Sequence, residues 1–163
     1  MSSDRMRPFN CPDHNCRFWT RSKRVFLLHL KIEHQKHCRS AKGSKINGTF
    51  NAKNWDKGHR KYSMLLITVE GKHFLLAGHL SNGYRHFIVQ MLEIEDEAQK
   101  HAYKLVMFKG KQWYGYQGTT TSLSIAGEEL AKTFQSLHFK WKIGQSLCDE
   151  DFKIRFTLNL YAL

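Results

Sequence analysis

After residue 61 the chain consists of apolar runs separated by short polar turn segments, and this pattern predicts β-strands. The predicted strands cover residues 62–69, 73–80, 84–94, 102–108, 111–117 and 151–163. In the last of them the apolar face carries Phe152, Ile154, Phe156, Leu158 and Leu160. Turns that include Gly71, Gly83 and Gly110 separate consecutive strands, and one helix is predicted over residues 124–139. Several strands with a single short helix predict a mainly β, antiparallel sandwich.

The first 61 residues do not show this pattern and divide into two parts. Residues 1–40 contain a compact Cys/His segment, whereas residues 41–61 are polar, basic and rich in Gly, Asn and Ser, as linkers are. Large apolar residues interrupt this linker at Ile46, Phe50 and Trp55, and we expect at least one of them to pack on the following domain. The predicted units are therefore a finger at 1–40, a basic linker at 41–61 and a sandwich at 62–163.

Four residues of the first unit have the spacing of a metal site: Cys11, Cys16, His29 and His34. Zinc binds thiolates and imidazoles in a tetrahedron, and four protein ligands leave no open position for a reactive water. We therefore expect one structural zinc ion, which contributes folding free energy to a module too small to fold alone. The apolar residues expected to support it are Phe9, Trp19, Phe26 and Leu30.

The identity of the fourth ligand has two alternatives close by in the sequence. His37 or Cys38 is an alternative to His34, although either would need a longer excursion of the chain. Cys38 and Cys148 are otherwise interpreted as ordinary thiols, because the N-terminus lacks the apolar stretch of a secretory signal and a reducing compartment follows. No apolar run approaches the ~20 residues that span a bilayer. We expect a cytoplasmic protein without a membrane span, with the nucleus as a second location.

Positive charge is concentrated in the N-terminal third. The formal net charge is +12, and residues 1–61 hold 15 Lys and Arg against 4 Asp and Glu. Such clustering is typical of contact with nucleic acid or an acidic partner, and equally of a solvated arm. The base-reading positions of a DNA-binding finger would be Ser22, Val25 and Leu28, and the two aliphatic residues offer no hydrogen bonds to bases. We expect no sequence-specific DNA reading and keep non-specific nucleic-acid binding as the alternative function.

Signs of catalysis are few. No nucleophile motif frames Cys148 or Ser146, and we interpret His73, His79 and His86 as surface or hydrogen-bonded histidines. The residues themselves thus favour binding over a reaction.

Several segments together resemble one protein family. The stretch RPFNCPDHNCRFWTRSKRVFLLHLKIEH is similar to the second zinc finger of the seven in absentia (Siah) ubiquitin ligases. The segments HFLLAGHL, FIVQML and AQKHAYKL resemble, in order and approximate spacing, strands of that family's C-terminal substrate-binding domain. The resemblance implies a TRAF-like antiparallel sandwich, homodimerisation and the binding of short extended degradation motifs.

The resemblance also sets expectations about activity. Family members carry a RING domain that recruits the ubiquitin-conjugating enzyme, and no second Cys/His cluster in this sequence supplies its eight ligands. We expect a shortened relative or a fragment that binds ligase substrates or adaptors without ubiquitinating them. Dimerisation with itself or with a longer relative would make it an adaptor or a competitor.

The peptide site is expected on a free strand edge, where an extended peptide adds as a further strand. By position, Tyr62 and Met64 resemble the family's aromatic and methionine contacts, and Lys61 stands where the family has an acidic residue. The alternative is that Tyr62 and Met64 belong to the core, because exposed and buried apolar residues look alike in a sequence.

Overall fold

The computed structural model describes residues 7–13, 15–53, 55 and 64–163. Within them the protein is mainly β: a small finger precedes two larger sheets that face each other as a sandwich. Tyr62 and Lys61 lie outside the described residues. No helix of the described residues is long and apolar enough to cross a membrane.

The finger consists of a two-stranded hairpin and a helix: β1 (Phe9–Asn10), β2 (Trp19–Thr20) and α1 (Lys23–Glu33). One large sheet contains β3 (Cys38–Lys42), β5 (Met64–Val69), β6 (Lys72–Ser81), β7 (Tyr84–Met91), β10 (Thr121–Ser122) and β11 (Leu137–Lys140). The other contains β4 (Lys45–Asn51), β8 (His101–Lys109), β9 (Gln112–Thr119) and β12 (Lys153–Ala162). Three short helices connect strands: α2 (Glu95–Ala98), α3 (Gly127–Lys132) and α4 (Trp141–Leu147).

The strands of each large sheet follow a defined order, and most neighbouring strands are antiparallel. The first large sheet runs β10–β7–β6–β5–β3, with β11 also pairing with β7, and the second runs β4–β12–β8–β9. Hairpins between successive strands give antiparallel pairs, as predicted, but β3 with β5 and β10 with β7 are parallel. Both parallel partners reach their neighbour through longer connections, so no tight turn dictates their direction.

The six predicted strands are confirmed within the described residues, and so are their turns. In the two-residue turns Glu70–Gly71 and Asn82–Gly83 all four residues have positive φ, between 50° and 78°. Two consecutive residues of positive φ are what a type I′ hairpin requires, and this turn matches the twist of the flanking strands. Local sequence therefore fixes the meander β5–β6–β7.

The predicted linker at 41–61 is wrong for its first half, because β3 and β4 lie within residues 38–51. Ile46, Phe50 and Trp55 are all buried in the core between the sheets. Gly48 lies on β4 directly against Phe156, where a Cβ atom would come within 2.7 Å of the phenyl ring. The sandwich therefore begins before residue 62, and its second sheet starts with this polar strand.

The core between the sheets is aromatic and aliphatic. Phe50 stacks on Phe156 with ring centroids 4.7 Å apart, and Phe87 packs beside them. On β12 the alternation holds from Ile154 to Leu160, whereas Phe152 is exposed in the preceding turn. The register of β12 between β4 and β8 thus follows from its buried face.

The helix predicted over 124–139 is only partly present. α3 covers Gly127–Lys132, and Phe134, with a φ of 55°, follows directly after the helical segment. Leu137–Lys140 then form β11, which pairs antiparallel with β7. Apolar residues at spacings of four and three are here divided between a helix and a strand, a difference that sequence periodicity alone does not resolve.

Three histidines lie side by side on adjoining strands of the six-stranded sheet. His79 on β6 is opposite His86 on β7, and His86 is opposite His138 on β11. His86 Nδ1 is 3.0 Å from Ser136 Oγ, and α3 begins over His79, where a Cβ on Gly127 would lie 2.3 Å from the imidazole. Burial, and then His86, lower the pKa of His79 to about 4; burial, and then His138, lower the pKa of His86 to about 4.

These lowered pKa values predict acid sensitivity of the sandwich. Between pH 6.5 and pH 4 the unfolded chain binds more protons at His79 and His86 than the folded chain does, so stability falls as the pH falls. Each histidine is expected to cost about 1–2 kcal/mol of unfolding free energy by pH 5. Urea denaturation at pH 7.5, 6 and 5 with saturating zinc measures the slope. His79→Gln should reduce that slope, and a slope unchanged by the substitution would contradict the assignment.

Candidate metal centre and its contact with the sheet

The helix α1 carries two of the candidate ligands. It begins at the N-cap Ser22, whose Oγ accepts a hydrogen bond from the Val25 backbone N–H at 3.2 Å. His29 lies in the helix, and His34 is its C-cap, with φ −117° and ψ 22°. A spacing of five residues would turn His34 away from His29 on a regular helix, and the non-helical C-cap lets both rings converge.

The hairpin supplies the two thiols. β1 and β2 pair through Phe9 with Thr20 and Asn10 with Trp19. The Cys11 N–H donates to Phe18 O at 3.0 Å, and the Cys16 N–H donates to Asp13 O at 2.9 Å. These bonds fold the segment between the cysteines into a knuckle that directs both sulfur atoms toward the helix.

The four predicted ligands meet at one point. Ligand atoms of Cys11, Cys16, His29 and His34 all lie within 4.8 Å of one another. His34 Nε2 is 3.2 Å from Cys11 Sγ and 3.1 Å from His29 Nε2, and His29 Nε2 is 3.4 Å from Cys16 Sγ. Tetrahedral bonds of ~2.0–2.3 Å place ligand atoms roughly 3.3–3.8 Å apart, so small adjustments admit one metal ion. In the described part of the chain His37 and Cys38 stay outside this cluster, which leaves His34 as the fourth ligand.

Burial shifts the pKa values of two of these ligands, Cys11 and His29, and favours the neutral form of each. Burial, together with the neighbouring Cys16, raises the pKa of the Cys11 thiol to about 12. Burial, and then His34, lower the pKa of His29, which favours the neutral imidazole that ligates metals. A bound cation reverses the effect on the thiol, because it stabilises the thiolate directly.

Two side chains around the ligands were not foreseen from the sequence. Asp13 Oδ2 lies 3.5 Å from His34 Nδ1, the nitrogen that faces away from the other ligands. Phe18 stacks on the His29 ring with centroids 3.9 Å apart. The predicted support by Trp19 is wrong, since Trp19 is 56% exposed, whereas Phe9, Phe26 and Leu30 are buried as predicted. In the sequence, Asp13 is recognisable only as a residue between Cys11 and Cys16. Sequence spacing does not indicate that its carboxylate lies beside His34.

The finger is seated on the outer face of the six-stranded sheet. Phe26 and Leu30 of α1 belong to one buried cluster with Met64, Leu75 and Ala77 of β5 and β6. The Asn10 N–H donates to Leu123 O at 3.2 Å, the Met64 N–H donates to His37 O at 2.9 Å, and Lys23 Nζ forms an ion pair with Glu93. The finger and the outer face of this sheet therefore share one buried apolar cluster, separate from the core between the two sheets.

The contact between finger and sheet buries Met64, one of the two residues of the predicted peptide site. Met64 is 1% exposed and lies under the finger. Its strand β5 has β6 on one side and β3 on the other, so it offers no free edge. The burial of Met64 speaks against a peptide contact and agrees with the alternative that it belongs to the core.

Comparison with known proteins adds no family: no protein-family model matches the chain, and no curated protein matches it at a significant level. The resemblance to the seven in absentia ligases rests on the sequence motifs alone.

The position of Asp13 predicts a role in metal affinity. A carboxylate on the outer nitrogen of a ligating histidine fixes the tautomer and ring orientation, and its loss typically weakens metal binding 10- to 100-fold. We expect Asp13→Asn to lower the affinity for added Zn²⁺ by about tenfold or more in a chelator competition assay.

Glu33→Gln is the matched control, because Glu33 is an exposed carboxylate of the same finger that acts on His29 through its charge, with no hydrogen bond to a ligand in the described residues. Its Zn²⁺ affinity should stay within about twofold of the unsubstituted protein. Equal losses in the two variants would assign the effect to net charge and not to the contact with His34.

Proposed function

We propose that this protein is a binding module of the ubiquitin-ligase pathway that captures short extended degradation motifs as an added β-strand on β9. In this proposal it acts as an adaptor for longer Siah-type ligases or competes with them. The pathway and the TRAF-like character of the sandwich come from the sequence motifs. The observation that carries the binding mode is the edge position of β9.

β9 is a long edge strand with a usable surface. Within the described residues it pairs with β8 alone, over the eight residues Gln112–Thr119. Tyr114 and Tyr116 point into the sandwich and pack on its core, whereas Trp113 is 67% exposed on the outer face. An extended peptide gains main-chain hydrogen bonds from such an edge and specificity from the side chains that flank it.

The other described edges suit a peptide less well. On β4 the carbonyl oxygen of Thr49 already accepts a hydrogen bond from the Arg39 guanidinium. The edge strand β3 has five residues, and β10 and β11 have two and four. Short or capped edges resist strand addition, which leaves β9 as the preferred site.

The metal in this proposal is one structural zinc ion. Two thiolates and two imidazoles are the donor set of closed, four-coordinate zinc sites, where no water is left to react. Its function is to hold the finger against the sheet. Dimerisation, with itself or with a longer relative, is part of the same proposal and is supported by the sequence resemblance alone.

Strand addition on β9 predicts a register-dependent response of the peptide. Successive residues of an added strand direct their N–H groups alternately toward and away from the edge. A labelled proline-containing degradation peptide, N-methylated at alternate residues, should therefore lose binding in one register and keep it in the other. Fluorescence anisotropy measures this, and loss or retention of binding in both registers would overturn the proposed mode.

On the protein side, Trp113→Ala should weaken the same peptide about three- to tenfold, as truncation of an interface aromatic does. Phe152→Ala is the matched control, since Phe152 is exposed in the turn before β12 and not on β9. If both variants keep full affinity, the peptide does not use the β9 edge.

Zinc removal predicts a local loss of structure. A chelator should raise hydrogen exchange in α1 and at the Met64 amide, which donates to His37 O, while β8 and β12 keep their protection. Cys11→Ser should show the same pattern without chelator, and Cys148→Ser, a buried cysteine of the sandwich, should bind one zinc per chain. A purified protein without stoichiometric zinc would contradict the assignment of the metal.

A further inference from the structure

The outward face of α1 carries an apolar stripe that the finger does not use. Val25 is 43% exposed, Leu28 46% and Ile32 67%. Their spacings of three and four place them on one side of the helix, opposite the buried Phe26 and Leu30. In the described residues no element covers this stripe, so three aliphatic side chains face solvent in a row about 10 Å long.

Cations border the stripe. Arg24 and Lys31 lie on the same helix one row beside Val25 and Leu28, and Arg21 precedes the helix. Residues 7–37 contain seven Lys and Arg against two Asp and Glu. Of those two acids, Asp13 faces His34, and Glu33 lies on the flank of α1 away from Leu28. The flank of the stripe that carries Arg24 and Lys31 is therefore positive, and Glu33 lies beyond the opposite flank.

We propose that this stripe binds an acidic amphipathic helix of a partner protein. Such a helix offers an apolar seam that packs on Val25, Leu28 and Ile32, and carboxylates beside the seam that face Arg24 and Lys31. The site is distinct from β9: the finger covers the outer face of the six-stranded sheet, and β9 belongs to the other sheet. The stripe would be a second docking surface beside the proposed peptide site, and its use by a partner does not depend on peptide binding at β9.

Nucleic acid fits this surface less well than protein. Val25 and Leu28 occupy positions from which a DNA-binding finger reads bases, and neither donates or accepts a hydrogen bond. Contact with phosphates alone would leave the aliphatic groups without a partner. A membrane fits poorly too, because an interfacial helix inserts a wide apolar face, and the wide face of α1 is already buried in the finger.

The test uses a designed probe. A fluorescently labelled helical peptide of about three heptads, with Leu at the seam and Glu beside it, should bind with a dissociation constant on the order of 10 μM. A scrambled peptide of equal composition and charge, a random DNA duplex and anionic vesicles form the comparison arms. We expect the helical peptide to bind at least about tenfold more tightly than the scrambled peptide.

The variants separate the apolar stripe from its charged border. Leu28→Gln/Ile32→Gln should weaken the helical peptide about tenfold or more, and Arg24→Glu/Lys31→Glu should weaken it and reduce its salt dependence. Trp113→Gln, an equally exposed apolar residue on β9, should leave it unchanged. Circular dichroism and zinc content confirm that each variant is folded.

Three results would overturn the proposal: no binding of the helical peptide, equal binding of the scrambled peptide, or full affinity of Leu28→Gln/Ile32→Gln. Preferential binding of DNA or vesicles that survives this double substitution would reassign the surface to its cations. Because the degradation peptide and the helical peptide respond to different variants, failure at β9 and failure at α1 are distinguishable.

Discussion

The structure depends on the burial of the finger's apolar face against the outer face of the six-stranded sheet. Phe26 and Leu30 alone would form a very small core, and the cluster with Met64 and Leu75 enlarges it. Burial of each such side chain contributes about 1.5–3 kcal/mol. Metal binding and docking therefore stabilise the same unit, and the finger is an integral layer of the protein rather than a module on a flexible tether.

This contact also determines which surfaces are left for recognition. It encloses β5 and its Met64, which removes the strand that the family resemblance pointed to. It leaves β9 on the far sheet with one paired side and the outward face of α1 in solvent. The two candidate binding surfaces thus lie on different layers of the molecule and can be occupied at the same time.

The sequence predicted those features that depend on neighbouring residues. The alternation in Lys153–Ala162 and the Asn82–Gly83 turn are local, and the spacing of Cys11 to His34 reports the metal site directly. Features that depend on distant contacts were not accessible. The polar segment Lys45–Asn51 is a strand only because β12 pairs with it, and Met64 is buried only because α1 covers it.

The composition of α1 connects folding with recognition. An eleven-residue helix that gives His29 to the metal cluster and Phe26 and Leu30 to the core has only its outward face available for a partner. On that face two of the three side chains which would read bases, Val25 and Leu28, are aliphatic, and the charges beside them attract anions of any kind. Aliphatic groups gain free energy only where a partner buries them, so this face discriminates in favour of an acidic partner with an apolar seam over a bare polyanion.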